Sequence, residues 1–339
     1  HRLAAATALA VTAGYGLALP LPYLAALFAV FLTSGASEAP GPKRIVAILL
    51  ALALTLGIGV LLGPIASSYP VTGLTLMAVG IFLSTRIATS EGKEPAGTLL
   101  AIGCAVIPAI SAVDAGLAAM LIDAMVLAMG VALLCQLAAF ALFPATGPAP
   151  PPPPAPALAD SQWLALRATL FMAPPVGLLL LNPALYLPVA MKSLLLSREA
   201  SAVSVRTASR ELIGSTLAGG AGAVLCWLLL GLAPTLWFFS LWIACFTAYA
   251  GYRVYGLAPT RHGPSWWVNA LVTLLILVGA AVQDSAAGKD VYQAFALRMV
   301  LFLGVTGYAI GAMHLLERWR ERRRRRKSRL GAREVIPCS

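Results

Sequence analysis

The chain has 339 residues, of which 60% are apolar and only 11% charged, and it carries a formal net charge of +11. An ordinary soluble domain has roughly 25% charged residues, so this composition excludes a soluble globular protein. The positive surplus does not read as a nucleic-acid surface: ten of the 24 Lys and Arg residues fall between Arg318 and Arg333, directly after the last apolar segment. A cluster there reads as a stop-transfer signal and an anchor for anionic lipid.

Taken in order, the apolar segments are too long and too free of charge for core helices of a soluble protein. Leu3–Thr33 contains no charged residue but is broken by Leu19-Pro20-Leu21-Pro22-Tyr23, giving spans over about 3–19 and 21–34. Further spans are expected near 44–62, 71–86, 97–112 and 115–143. Then comes a stretch in which eight of the thirteen residues from Pro144 to Pro156 are proline. With φ fixed and N–H donors missing, it is expected to form an extended polyproline II strap. Beyond it, spans are predicted near 164–181, 184–197, 211–231, 235–253, 265–282 and 292–316. Turn residues punctuate the connectors at Gly63-Pro64, Tyr69-Pro70, Gly231 to Pro234 and Gly263-Pro264. The loop Lys192–Glu211 is helix-compatible and reads as an ordered connector at the membrane face.

Charge tests the count. With twelve spans and both termini in the cytoplasm, the inner connectors hold Lys43, Arg44, Arg86, Lys93, Lys192, Arg198, Arg206, Arg210, Arg253 and Arg261, and the outer connectors hold only Lys289. A single first span would put Lys43, Arg44, Arg86 and Lys93 outside, so the positive-inside rule selects the broken block as two spans. The expected fold is an all-α polytopic membrane protein of about twelve transmembrane helices. Its parts would be a first six-helix unit over 1–143, a cytoplasmic proline-rich linker over 144–162, a second six-helix unit over 163–317 and a basic cytoplasmic tail over 318–339.

The two halves resemble each other. Each opens with an arginine, Arg2 or Arg167, at the mouth of an apolar span. Each continues with a short, proline-interrupted segment containing a tyrosine, residues 17–25 and 182–190, and then a third span rich in small residues. Because each half has an even number of spans, such repeats must be parallel, related by an axis along the membrane normal.

Enzyme chemistry finds no foothold. The three histidines (His1, His262, His314) are scattered, and the five cysteines stand singly with no CxxC. No metal, no cofactor and no enzymatic activity is therefore expected. The polar residues inside spans are few. Asp123 and Arg298 lie about two turns into the sixth and twelfth spans, and aligning Gly130 with Gly304 places them within a residue of each other in the two repeats. A charge at the bilayer centre costs about 2.5–3.5 kcal/mol on insertion scales, so each should face protein or water. One reading makes Arg298 the contact for an anionic substrate and Asp123 its proton-linked partner. The other makes them a structural ion pair, or has Arg298 reaching out to the interface. The paired broken segments nominate Tyr23, Asn182, Tyr186 and Lys192 as cavity lining, because interrupted backbone leaves polar groups that must face a cavity; the alternative is that Pro20, Pro22 and Pro183 only make tight hairpins. Asp114, Asp284 and Asp290 read as ordinary interfacial charges. Gly307-Tyr-Ala-Ile-Gly311 is a GxxxG motif, expected to pack within the chain rather than between copies.

These features together resemble a known group. Pro22-Tyr23-Leu-Ala after an opening arginine, Tyr69-Pro70 before the fourth span, Ile107-Pro108-Ala-Ile-Ser111 before the sixth, Phe143-Pro144 before the strap, Val189-Ala-Met-Lys-Ser-Leu194 and Arg298 in the last span are similar to the fusaric acid resistance protein superfamily, related to aromatic carboxylic acid efflux pumps. The resemblance is nearest to a small branch built almost wholly of membrane spans. It implies a bacterial inner-membrane exporter of small organic, aromatic carboxylic acids, driven by the proton gradient and working with a periplasmic membrane-fusion subunit. The larger pumps carry a sizeable cytoplasmic domain after each membrane half, where this chain has only the strap and the basic tail. That departure leaves room for a non-transporting scaffold or assembly subunit of a tripartite complex.

Overall fold

A computed structural model describes residues 1–36, 38–90, 94–144, 158–202 and 205–334. Every regular element among them is helical. In chain order they are α1 (Arg2–Gly16), α2 (Tyr23–Ser34), α3 (Pro42–Ser68), α4 (Pro70–Ser90), α5 (Glu94–Ala101), a π-helical turn (Ile102–Val106), α6 (Ile107–Val113) and α7 (Ala115–Leu142). There follow α8 (Leu158–Leu181), α9 (Pro183–Ala202), α10 (Val205–Leu230), α11 (Leu236–Val254), α12 (Pro264–Ala286) and α13 (Val291–Glu334). Since α5, the π turn and α6 run on without a break, the described residues form twelve helical rods, in the order of the twelve predicted segments.

Seven rods are long and apolar enough to cross a membrane: α3, α4, α7, α8, α10, α12 and α13. The chain is therefore a multi-pass helical membrane protein. The first block is indeed broken at its prolines, but the pieces are short. At 1.5 Å per residue, α1 and α2 are only about 22 and 18 Å long, against a hydrocarbon core of about 30 Å. They pack as a hairpin, with Gly14 of α1 lying against the Pro22 carbonyl. The turn between them contains Ala18 at φ 51°, in the left-handed region.

Other boundaries differ from expectation in the direction of longer helices. The predicted stop at Gly63-Pro64 does not end α3, which runs on to Ser68 with Pro64 inside it. Pro64 removes one donor from the helical ladder, and beside it α3 packs closely on α6: a Cβ on Gly63 would fall 2.2 Å from Ser111 Oγ. Helix α8 begins at Leu158, inside the segment expected to be linker, and the basic stretch after 317 continues α13 as helix to Glu334. The connector 192–211 is helical on both sides, up to Ala202 and from Val205. The strap at 145–157 lies outside the described residues.

Packing is concentrated in a few pairs. Helix α1 packs on α2 as α8 packs on α9, and α3 on the π-turn–α6 rod as α10 on α12. Helix α1 also lies on α11, and α4 lies on α8. Helices α7 and α13 each pack on the first three helices of their own half. Small residues permit the tightest contacts. A Cβ on Gly59 of α3 would stand 2.1 Å from the Gly103 carbonyl oxygen in the π turn, and one on Gly219 of α10 would stand 2.4 Å from the Ala270 carbonyl oxygen of α12. The centre of the molecule is α12, 72% of whose apolar window is buried against 17% for α3. Against it lies α2, buried from Tyr23 to Val30.

Candidate functional site

Helix α12 carries the interior polarity. Asn269, Thr273 and Asp284 fall within about 60° of one another at 3.6 residues per turn, spread along about 22 Å of helix. All three are buried in an apolar surround. Two polar clusters hang on this face, and buried Ile276 and Ala280 stand on it between them.

The first cluster is centred on Lys192, at the middle of α9 and 0% exposed. Its Nζ donates to Asn269 Oδ1 and to Thr273 Oγ1. The Asn269 amide donates to Ser215 Oγ of α10 at 2.6 Å, and Ser215 donates to the Leu212 carbonyl at 3.2 Å. Thr273 donates to the Asn269 carbonyl at 2.7 Å. This is a hydrogen-bonded chain from a membrane lysine across three helices, and it answers the cost of burying an ammonium by pairing its donors.

The second cluster lies at the end of the bundle that carries the α1–α2 turn. Arg298 of α13 forms an ion pair with Asp284 of α12 through Nη1. Its Nε is buried and has no hydrogen-bond partner. Tyr23 opens α2 and packs against Gly279, whose Cβ position is 2.3 Å from Tyr23 Cβ, close enough that no larger residue fits there without a shift. The Tyr23 phenol is within electrostatic reach of Arg298 and of Tyr15. Tyr15 Oη is likewise buried without a partner, and its ring meets Phe239 edge-on at 5.3 Å. Gln283 Nε2 holds the Pro20 carbonyl at 3.1 Å, fixing the proline-broken turn to α12.

Of the residues singled out by sequence, the structure brings Tyr23 and Arg298 together and places Lys192 in the companion cluster. Arg298 is paired with Asp284, not with Asp123. Asp123 is exposed on α7 and has no polar partner among the described residues, so the facing pair expected from the alignment of the two halves is not formed. Asp284, read from sequence as an interfacial charge, is a buried partner instead. Asn182 accepts from the Leu185 N–H at 3.2 Å and so caps the start of α9. Tyr186 is half-buried and packs against the apolar core. Sequence reasoning missed Tyr15, Ser215, Asn269 and Thr273. The spacing of Asn269 and Thr273, one turn apart in an apolar span, was the available signal.

The opening arginines also have defined seats. Arg2 donates to the Phe143 and Pro144 carbonyls at 2.7 and 2.9 Å, at the end of α7. Arg167 donates to Met313 Sδ at 2.9 Å and lies within electrostatic reach of Glu317, both on α13.

Fold and site thus define a helical, multi-pass membrane protein with two polar clusters strung on one central helix. Residues 1–139 match the model of a family described as "Protein of unknown function (DUF2955)", a segment that runs from α1 to nearly the end of α7. No curated protein and no solved structure matches the chain.

Proposed function

We propose that this chain is a proton-coupled exporter of small organic acids in the bacterial inner membrane, built as two parallel six-helix repeats with twelve spans and both termini in the cytoplasm. The observation that carries this reading is the buried polarity of α12: a lysine chain over its first half and an arginine cluster near its far end, separated by apolar Ile276 and Ala280. Intramembrane cations that face the bundle interior mark substrate and proton pathways. Helix α12 also packs on α2 of the other half, and transporters built from repeats place their substrate and coupling-ion sites at the interface between repeats.

Matched packing supports the repeats. Exchanging α1–α7 for α8–α13 turns the α1–α2 pair into α8–α9 and the α1–α11 pair into α8–α4. The same exchange turns Arg2 at Phe143 into Arg167 at Glu317, which correspond when Gly130 is aligned with Gly304. Short α1 and α2 complete their crossing as a hairpin sheltered by protein, where non-helical backbone at depth is tolerated. The two cations divide the work by chemistry. Arginine stays charged and presents a fork suited to carboxylate, so Arg298 takes the anion. Lysine can give up its proton, so Lys192 replaces Asp123 as the proton-linked group. The sequence resemblance to aromatic acid efflux proteins points the same way.

Deletion and complementation against a panel of weak aromatic acids tests the reading, with intracellular accumulation as the measurement. The complemented strain should exclude the acids. Lys192→Met should insert and fold yet export about tenfold less or worse, equivalent to about 1.4 kcal/mol. Unchanged accumulation on deletion would refute export. The alternative, a non-transporting subunit of an envelope complex that includes a periplasmic membrane-fusion partner, draws on the outward faces of two helices: Asp123 on α7, and Gly304, Gly307 and Gly311 on α13, are exposed.

A further inference from the structure

The connector between α11 and α12 sets cations on an aromatic floor at one end of a membrane-crossing rod. Half-buried Arg253, in the last turn of α11, lies over the rings of Tyr249 and Trp267 at 5.5 and 5.9 Å and donates through Nη1 to the Pro259 carbonyl. His262 stacks on Trp266 at 4.4 Å, and Trp267 meets both Trp266 and Tyr249 edge-on. Thr260 Oγ1 accepts from the Trp267 indole at 3.1 Å and from the His262 N–H at 3.2 Å, which ties the connector to that floor. Exposed Arg261 stands two residues beyond Pro259, within about 7 Å along the chain, so both arginine side chains reach one group at this surface. Among the described residues neither Arg253 nor Arg261 forms an ion pair. No Asp or Glu occurs between Glu211 and Asp284. Glu211, one turn before the Gly214 that packs on Trp266, and Glu38, five residues beyond the Thr33 carbonyl that Tyr255 holds, pair with neither arginine. From Arg253 back along α11, Tyr252, Tyr249, Cys245, Leu241 and Trp237 are exposed at steps of three and four residues, one apolar and aromatic stripe about 22 Å long.

We propose that this connector binds an anionic phospholipid of the surrounding bilayer, its phosphate held by Arg253 and Arg261 and its acyl chains laid along the exposed stripe of α11. The donors that Arg253 does not spend on Pro259, and the whole fork of Arg261, suit phosphate oxygens. An aromatic floor belongs at headgroup depth, where amphipathic rings collect. Two arginines without a counter-charge select a headgroup of net negative charge; a zwitterionic one brings its own ammonium into the same space. The basic stretch after Arg318 attracts anionic lipid by charge alone, whereas this site fixes a lipid between two particular side chains. The site is independent of what the chain transports.

The test uses the purified full chain, stripped of lipid in detergent, with phosphatidylglycerol, phosphatidylcholine and glycerol phosphate as probes. Melting temperature is read over a concentration series of each. Phosphatidylglycerol should raise it in a saturable way, because a ligand stabilises the state it binds, and the other two should not in the same range. Arg261→Gln removes a side chain that has no partner among the described residues, so the lipid-free protein should melt as the parent does. Its apparent affinity for phosphatidylglycerol should fall about fivefold, and that of Arg253→Gln with Arg261→Gln about 25-fold. Arg318→Gln with Arg322→Gln removes the same charge from the basic tail and should cost far less. The proposal is overturned if phosphatidylglycerol fails to stabilise the parent or if phosphatidylcholine stabilises it equally. An equal response to glycerol phosphate would mean a free-phosphate site and also overturns it. So does an Arg261→Gln protein that binds the lipid as the parent does, or a tail pair that costs as much affinity as the connector pair.

Discussion

At the scale of single residues, the chain departs from its own apolar habit at a small number of places, and these sort by how they are compensated. Lys192 is surrounded by acceptors, Arg298 pairs through Nη1 but leaves Nε without an acceptor, and Asp123 is left on the surface of α7. Sequence could nominate Arg298 and Lys192, because a charge in an apolar run is visible without a structure. It could not choose the partner of Arg298. Asp284 lies close to a helix end and reads as solvated, yet the return of α13 beside α12 brings the two together. Tyr15 was hidden for a similar reason: a tyrosine in a span is unremarkable until its hydroxyl is found unpaired. A different kind of cost sits at Ala18, whose φ of 51° places a Cβ in the left-handed region. That conformation costs a non-glycine residue about 1–2 kcal/mol. Ala18→Gly should relieve it and raise stability by up to about 1 kcal/mol, after the entropy that glycine itself loses on folding. Denaturant or thermal unfolding in detergent measures this; a drop in stability would show that the turn is not strained there.

At the scale of elements, apolar runs and proline punctuation made all twelve rods legible in order, while their ends were less so. Helix α3 passes through Pro64 with Gly63 packed on Ser111 of α6, and the π turn at 102–106 appears where the α5–α6 rod meets α3 at Gly59. Neither could be read from the local sequence, since both depend on a neighbour. Glycine shows the same limit. The GxxxG motif of α13 reads as an internal packing face, but at Gly304, Gly307 and Gly311 nothing lies within 4 Å of an added Cβ. The functional close approaches are at Gly59 against Gly103 and at Gly219 against Ala270. One substitution therefore has opposite consequences at two glycines. Gly307→Ala should be neutral or stabilising by up to about 1 kcal/mol, the gain in helix propensity. Gly59→Ala drives a Cβ into a backbone carbonyl that cannot turn aside, and should destabilise by about 1–3 kcal/mol. Thermal melts of the two variants, side by side, check the contrast. Equal melting temperatures would mean that the α3–α6 contact is looser than drawn.

At the scale of the whole molecule, the question is how the bundle sits in its membrane, and charge and packing bear on it independently. Lys289 apart, the lysines and arginines of the short connectors fall on one side when α1 and α2 count as two crossings. Yet the hairpin is too short for two ordinary spans, and only seven rods pass on length and composition. In packing, the counterpart of α1–α2 is α8–α9, whose second member, Pro183–Ala202, is twenty residues long, and the exporter proposed above counts both pairs as two crossings. If the halves are parallel repeats, the α3–α4 turn and the α12–α13 turn share one side, and the α2–α3 and α11–α12 connectors share the other. Exposed positions are available on each: Ser68 and Ala287, and Glu38 and Thr260. In a version without native cysteines, Ser68→Cys and Ala287→Cys should react with a membrane-impermeant maleimide on intact spheroplasts. Glu38→Cys and Thr260→Cys should react only after the membrane is opened. Were Glu38→Cys labelled from outside while Thr260→Cys stayed protected, the first hairpin would not cross twice. The two halves would then be antiparallel, and the exchange that relates their contacts could not be a rotation about the membrane normal.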